Sequence, residues 1–172
     1  ESEPQIKAVV EALGAIGVPV LVVIGNREST DSFNKALASA HVSHKNVFNL
    51  NHVRRVNTGL VNIISLPGYY NHNYLHAVDG CFYGADHVNE LAALMKDASM
   101  PTLLVSHGGP RQTGADAIDF TSQGANVGDP ALAQAIASNK ISFGVFGNVQ
   151  EAGGRATDLT GNQVLKEGEF YE

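Results

Sequence analysis

The chain has 172 residues, 44% of them hydrophobic, which suits one globular domain over 1–172 with a sizeable core. A net charge of −6 and a pI near 5.6, with Arg54-Arg55 as the only adjacent basic pair, give no electrostatic reason to approach nucleic acid or an anionic membrane. One cysteine, Cys81, excludes an internal disulfide framework and a multi-cysteine zinc site, and favours a reducing compartment such as the cytoplasm. No apolar run approaches the roughly 18 residues of a membrane span. The start, ESEPQ, lacks the basic and apolar regions of a signal peptide, although a cleaved leader would leave no trace, so export after its removal stays open.

Ser2-x-x-Gln5 has capping-box spacing, and Ile6, Val9, Val10 and Leu13 recur at helical intervals, predicting an opening helix that ends near Gly14 or Gly17. The apolar run Val18–Ile24 predicts a buried strand leading into Gly25-Asn26. Thr30 or Asp31 can cap a second helix with Phe33, Ala36, Leu37 and Ala40 as its buried stripe. From His41 to Tyr70, β-rich pieces at Val47–Leu50 and Leu60–Leu66 alternate with Asn and Gly and suggest antiparallel or mixed strands. Tyr69–Tyr83 has no period and reads as a long loop. Asp86 is the expected cap of a helix with Val88, Leu91, Ala92 and Met95 on its face.

Thr102–Asp116 is the stretch to which the rest points. Its apolar strand stops at His107-Gly108-Gly109-Pro110, which delivers a histidine to a carboxyl strand end, where open α/β sheets bind ligands. A Gly-rich segment, 108–128, precedes Asp129-Pro130, an N-cap followed by a first-turn proline, and a helix burying Leu132, Ala133 and Ile136. Strand Ile141–Phe146 runs into Gly147-Asn148, and Arg155–Tyr171 predicts a hairpin with Thr160-Gly161-Asn162 at its turn. If the strands before residues 26, 107 and 148 lie side by side, Asn26, His107 and Asn148 meet at one edge. There is no P-loop spacing in the glycine-rich segment and no G-x-S-x-G elbow, which argues against a nucleotide loop and a serine hydrolase.

Taken in order, GNRE at 25–28, LLVSHGGPRQTGADAID at 103–119 and VFGNVQEAGG at 145–154 resemble the calcineurin-like metallophosphoesterases over nearly the whole chain. The resemblance implies an α/β fold of the αββα sandwich type, two packed mixed β-sheets flanked by helices. That family holds two metal ions at strand ends with the blocks D-x-H, G-D, G-N-H-[DE], a lone histidine and G-H-x-H. By this resemblance Asn26 and His107 stand at metal-ligand positions, Arg27 replaces the histidine that helps protonate the leaving group, and Asn148 and Gln150 replace the paired histidines. The first two blocks, with the bridging aspartate and the first strand, have no counterpart. Asn26, His107 and Asn148 would form one half-site and Gln150 would belong to the other.

The chemistry of the substitutions points away from hydrolysis, because closely spaced dications need anionic ligands and a neutral amide is a weak donor beside imidazole. The resulting expectation is a non-catalytic binding or structural subunit without a metal cofactor. Its predicted partner is another chain or a second copy covering the Val18–Ile24 edge. Two alternatives stand beside it. One is a phosphoesterase using Mn, Fe or Zn once a further N-terminal block completes the site; the other is a metal-free phosphate or nucleotide sensor using Arg27, His107 and Arg111. His107 also has an ordinary reading as a loop cap, and Arg27 as a surface ion-pair partner. His72 and His76 have helical spacing for zinc but sit among Asn and Gly, so a loop pair is favoured. His41, His44, His52 and His87 read as surface or capping residues, and Asp116 and Asp119 as turn caps at acidic positions of the family loop.

Overall fold

The computed structural model describes residues 2–165. Helix α1, Glu3–Gly14, begins with the expected capping box, in which the Ser2 N–H donates to Gln5 Oε1 at 3.0 Å. Ile6 and Val10 are buried against α2, Thr30–Ser43, whereas Val9 and Leu13 of the predicted stripe are 61% and 42% exposed. The C-terminal ends of the two helices approach closely because Gly14 lacks a Cβ, which would sit 2.7 Å from His44. Helix α2 buries Phe33, Ala36, Leu37 and Ala40, the whole predicted stripe.

The cap of α2 is Ser29, not Thr30 or Asp31. Its hydroxyl accepts from the Ser32 N–H, and Asp79, fifty residues along the chain, receives hydrogen bonds from Ser29 Oγ and the Asp31 N–H. Helix α3, Ala85–Leu94, likewise starts early, two residues before Asp86 capping would place it. Gly84 is its cap, with the Gly84 N–H donating to His87 Nδ1, and Asp86 lies in the first turn, where its charge favours the helix dipole. Ala92 of its predicted face is exposed. Helix α4, Pro130–Asn139, has the Asp129 cap that the sequence predicts, with Oδ1 accepting from the Ala131 N–H at 2.8 Å.

The strands form two sheets flanked by these helix pairs. In the smaller, β1 (Val20–Val22) pairs parallel with β2 (Val47–Asn49). The larger is mixed, in the order β3 (Arg55–Asn57), β4 (Asn62–Leu66), β5 (Thr102–Ser106), β6 (Phe143–Phe146), with only β3 antiparallel to its neighbour. One core packs Ile6, Val10, Ile24, Phe33 and Leu37 around the smaller sheet; the other packs Ile64, Leu66, Leu91, Leu104, Leu132 and Ile136 between the larger sheet and α3 and α4. Alternation along β4 joins them, since Ile64 and Leu66 enter the second core while Ser65 Oγ donates to the Leu50 carbonyl at 2.7 Å.

Strand β1 is shorter than Val18–Ile24 because side chain and loop replace the ladder at its end. The Ile24 N–H donates to Asn51 Oδ1 and the Ile24 carbonyl accepts from the Gly68 N–H. The smaller sheet is thus a parallel pair rather than a mixed sheet, and β1 is not beside β5. A last hairpin, β7 (Ala156–Thr157) and β8 (Val164–Leu165), turns at Thr160-Gly161-Asn162 with Gly161 at φ 78°; its predicted continuation past 165 lies outside the described residues. No helix among the described residues is long and apolar enough to cross a membrane.

Leu104 is fully buried at the centre of the larger core. Leu104→Ala is expected to lower unfolding free energy by about 2–5 kcal/mol, read as a shift in the urea midpoint at constant slope.

Candidate functional site

The turns after β1 and β6 each begin with Gly-Asn, and both press on the histidine that follows β5. A Cβ on Gly25 would lie 3.0 Å from His107 Cε1 and Nδ1, and one on Gly147 would lie 3.2 Å from Nδ1. The two glycines therefore leave room for the ring, which they flank. The asparagines supply its polar contacts: Asn26 Nδ2 donates to the Tyr74 carbonyl at 3.0 Å, which turns Oδ1 towards His107 Nε2, also at 3.0 Å. An amide oxygen can only accept, so Nε2 carries the proton and donates. Asn148 Nδ2 donates to Tyr69 Oη at 3.1 Å, and Asn148 favours the charged form of the His107 ring.

Asn26, His107 and Asn148 thus converge, although across two sheets rather than along one. The 3.0 Å contact between Asn26 and His107 links the two sheets, while the Gly147 N–H donating to the His107 carbonyl at 3.0 Å extends the β5–β6 pairing to residue 148. Asn148 adopts φ 66°, in the left-handed region that asparagine tolerates better than most side chains. Gln150 lies two residues on, exposed, in the 3-10 turn Gln150–Ala152.

Three more residues contribute to the site, of which Tyr69 and Tyr74 carried no clear signal of their role. Tyr69 is fully buried, donates to the Val127 carbonyl at 2.7 Å, and is held in its neutral form by burial, which raises its pKa. Tyr74 sends its carbonyl to Asn26 from the 3-10 turn His72–Tyr74, so the loop after β4 crosses the site. Glu28 was legible as the acid in GNRE; its Oε2 accepts from the Gly25 N–H at 3.1 Å and its charge acts on His107.

Burial lowers the pKa of His107 from its ordinary 6.5, against the opposing influences of Glu28 and Asn148. The unfolded chain therefore takes up this proton first as pH falls. Stability tied to the neutral ring is complete above the unfolded pKa of about 6.5 and is lost as pH drops through the folded value. His107→Gln is expected to flatten this acid-side loss, measured as urea midpoints from about pH 8 to pH 5.

The remaining predicted residues are spread out. Arg27 is exposed just beyond Asn26, and Arg111 is exposed beside Asp129, whose carbonyl accepts its N–H at 2.9 Å. His72 stacks on Phe82 with centroids 3.7 Å apart, and the His76 N–H donates to the Asn26 carbonyl, so the pair lies on a loop and not on an α-helix. His41 and His87 make local hydrogen bonds, and His52 is exposed. Asp119 is buried and accepts from the Gln112 N–H at 2.9 Å, a turn-capping role, and Asp116 is exposed.

Where the strand ends meet, the donors are one imidazole, two neutral amides and a carboxylate tied to a backbone N–H. Among the described residues no three His, Cys, Asp or Glu side chains are grouped to hold an ion. A two-metal hydrolytic centre needs bridging anionic oxygen and several imidazoles, and these residues do not fit one.

Two solved structures are similar in fold. One matches over 94% of this chain and 63% of its own, with 18% identity and a TM-score of 0.69. The other, TT1561 of Thermus thermophilus, matches over 95% of this chain and 68% of its own, with 15% identity and a TM-score of 0.69. No family model matches the chain, and no curated protein sequence does. This chain spans less than two thirds of the first neighbour's length, and it shares an α/β architecture with both.

Proposed function

We propose that this chain is a metallophosphoesterase-type α/β domain, built on the αββα sandwich plan, that does not hydrolyse phosphoesters and serves as a binding or structural subunit. The observation that carries this reading is the state of His107. The imidazole at the meeting of the strand ends donates to Asn26 and lies against Asn148, so protein amides take the place of metal ions and their bridging oxygen. Purified protein is expected to hold no stoichiometric Mn, Fe or Zn after gel filtration. Elemental analysis finding one equivalent or more would overturn the reading.

The subunit role rests on the smaller sheet. No described strand pairs with the second edge of β1. Val18, just before it, is 54% exposed, and Val9 of α1 and Ile16, just past the end of α1, are 61% and 65% exposed. Another chain covers the Val18–Ile24 edge, by strand addition or by a packed surface. The half-buried thiol of Cys81, its pKa raised by burial, suits a reducing compartment such as the cytoplasm.

A second reading is favoured by the length comparison, since the first neighbour extends well beyond the part this chain matches. In it, a further segment bearing a bridging carboxylate completes a metal-dependent phosphoesterase. Metal-dependent hydrolysis by a longer form of the chain, absent from residues 1–172 alone, would establish it.

A further inference from the structure

Surface loops whose ends lie close together, and which bury few apolar side chains, open at the low end of a protein's local stabilities. Residues 71–80 form such a strap. Its feet are joined, since the Tyr69 N–H donates to the Cys81 carbonyl at 2.9 Å and the Tyr83 N–H to the Tyr69 carbonyl at 3.2 Å. Tyr70 and Cys81 pack against the two cores, but no residue from 71 to 80 is buried or belongs to either core. Val78 is fully exposed.

Besides the stack of His72 on Phe82 at one foot, polar contacts hold the strap down at two points. At the far end Asp79 Oδ2 accepts from Ser29 Oγ at 2.8 Å and from the Asp31 N–H at 3.2 Å, and the Asp79 carbonyl accepts from Thr30 Oγ1 at 2.7 Å. These bonds are open to water, which can replace each of them at little cost. In the middle the strap meets Asn26, whose Nδ2 donates to the Tyr74 carbonyl at 3.0 Å and whose carbonyl accepts from the His76 N–H at 2.9 Å. The side-chain oxygen of the same residue accepts from His107 Nε2. Asn26 is thus shared between the strap and the imidazole, and it is only 7% exposed. Tyr74 also meets the Tyr69 ring edge-on, and Tyr69 stands edge-on to His107.

We infer that residues 71–80 are a gate over the strand ends. The strap lifts on its paired feet while both cores stay closed, and lifting it frees Asn26 and admits a small molecule to the Nε2 side of His107. Two features together carry this. The latch at Asp79 contributes no core contact, so opening exchanges exposed polar bonds for water and leaves the packing of either core intact. Asn26 is bonded to the strap by two of its groups and to His107 by a third, so the strap cannot open without altering the surroundings of the imidazole.

The gate does not depend on what the site binds, because access to the imidazole is read directly. Hydrogen exchange over residues 70–80 follows the strap, and labelling of His107 by diethyl pyrocarbonate at neutral pH, mapped by mass spectrometry of peptides, follows the site. Asp79→Ala and Thr30→Val remove the latch from its two sides, and each is expected to speed both processes by about threefold or more. Leu104→Ala, which weakens the core away from the strap, is expected to leave both at wild-type rates. His72 and His76, exposed on the strap itself, are expected to label alike in every variant. Latch variants that leave His107 labelling unchanged overturn the proposal. So does a wild-type strap that exchanges as slowly as β5, or a Leu104→Ala chain in which both rates rise as much as in Asp79→Ala.

Discussion

Replacing Asn148 with histidine is expected to give the protein zinc or manganese binding roughly tenfold or more tighter than that of the wild type. The change would set two imidazoles and the Asn26 amide at strand ends already joined by the 3.0 Å contact between His107 and Asn26. The backbone accepts it, because residue 148 sits at φ 66°, a region where histidine as well as asparagine is enriched. It loses the 3.1 Å hydrogen bond to Tyr69, at a cost of about 1 kcal/mol. Gln150→His, at an exposed position in the 3-10 turn, is expected to do little by itself. Titration calorimetry with each metal separates the two variants. Absence of binding by Asn148→His would mean that residues 26, 107 and 148 do not offer their donors to a common point.

Gly68→Ala should be the most damaging small substitution near the site. Gly68 has φ +86°, and a Cβ there would stand 2.2 Å from the Cys81 carbonyl oxygen, a backbone atom with nowhere to move. That oxygen accepts the Tyr69 N–H at 2.9 Å, and Gly68 itself donates to Ile24, so one residue ties the smaller sheet to the loop that carries Tyr69 and Tyr74. Left-handed strain alone costs about 1–3 kcal/mol, and the steric conflict adds to it, for an expected loss of about 3 kcal/mol or more. Gly59→Ala provides the comparison: φ is +84°, but nothing lies within 4 Å of the new Cβ. It should cost only about 1 kcal/mol in urea unfolding. Equal losses for the two would show that the contact at Cys81 is not what constrains Gly68.

The parts of this fold legible in the sequence are those set by local periodicity or local caps. The stripe Phe33, Ala36, Leu37, Ala40 and the Asp129-Pro130 helix start are determined by neighbours a few residues away, and both are present as read. The cap of α2 is not local. Ser29 is selected over Thr30 and Asp31 because Asp79 closes the turn from another loop. Strand β3, only Arg55–Asn57, is specified by its pairing with β4 and has no apolar signature of its own.

The convergence of residues 26, 107 and 148 was legible because each follows an apolar strand at a glycine-marked turn. Its geometry was not, since which strands become neighbours depends on long-range packing. Residue 26 reaches His107 from the smaller sheet, while residue 148 follows β6, the neighbour of β5. Tyr69 and Tyr74 were hidden in a loop without periodicity, where only the final path of the chain brings their oxygens to the two asparagines.

The most direct test of the central claim is hydrolysis of p-nitrophenyl phosphate and bis-p-nitrophenyl phosphate with added Mn, Fe or Zn, comparing wild type with His107→Ala. A meeting point of one imidazole, two amides and a tethered carboxylate predicts no metal-dependent turnover in either protein. Metal-dependent turnover in the wild type that disappears in His107→Ala would contradict it.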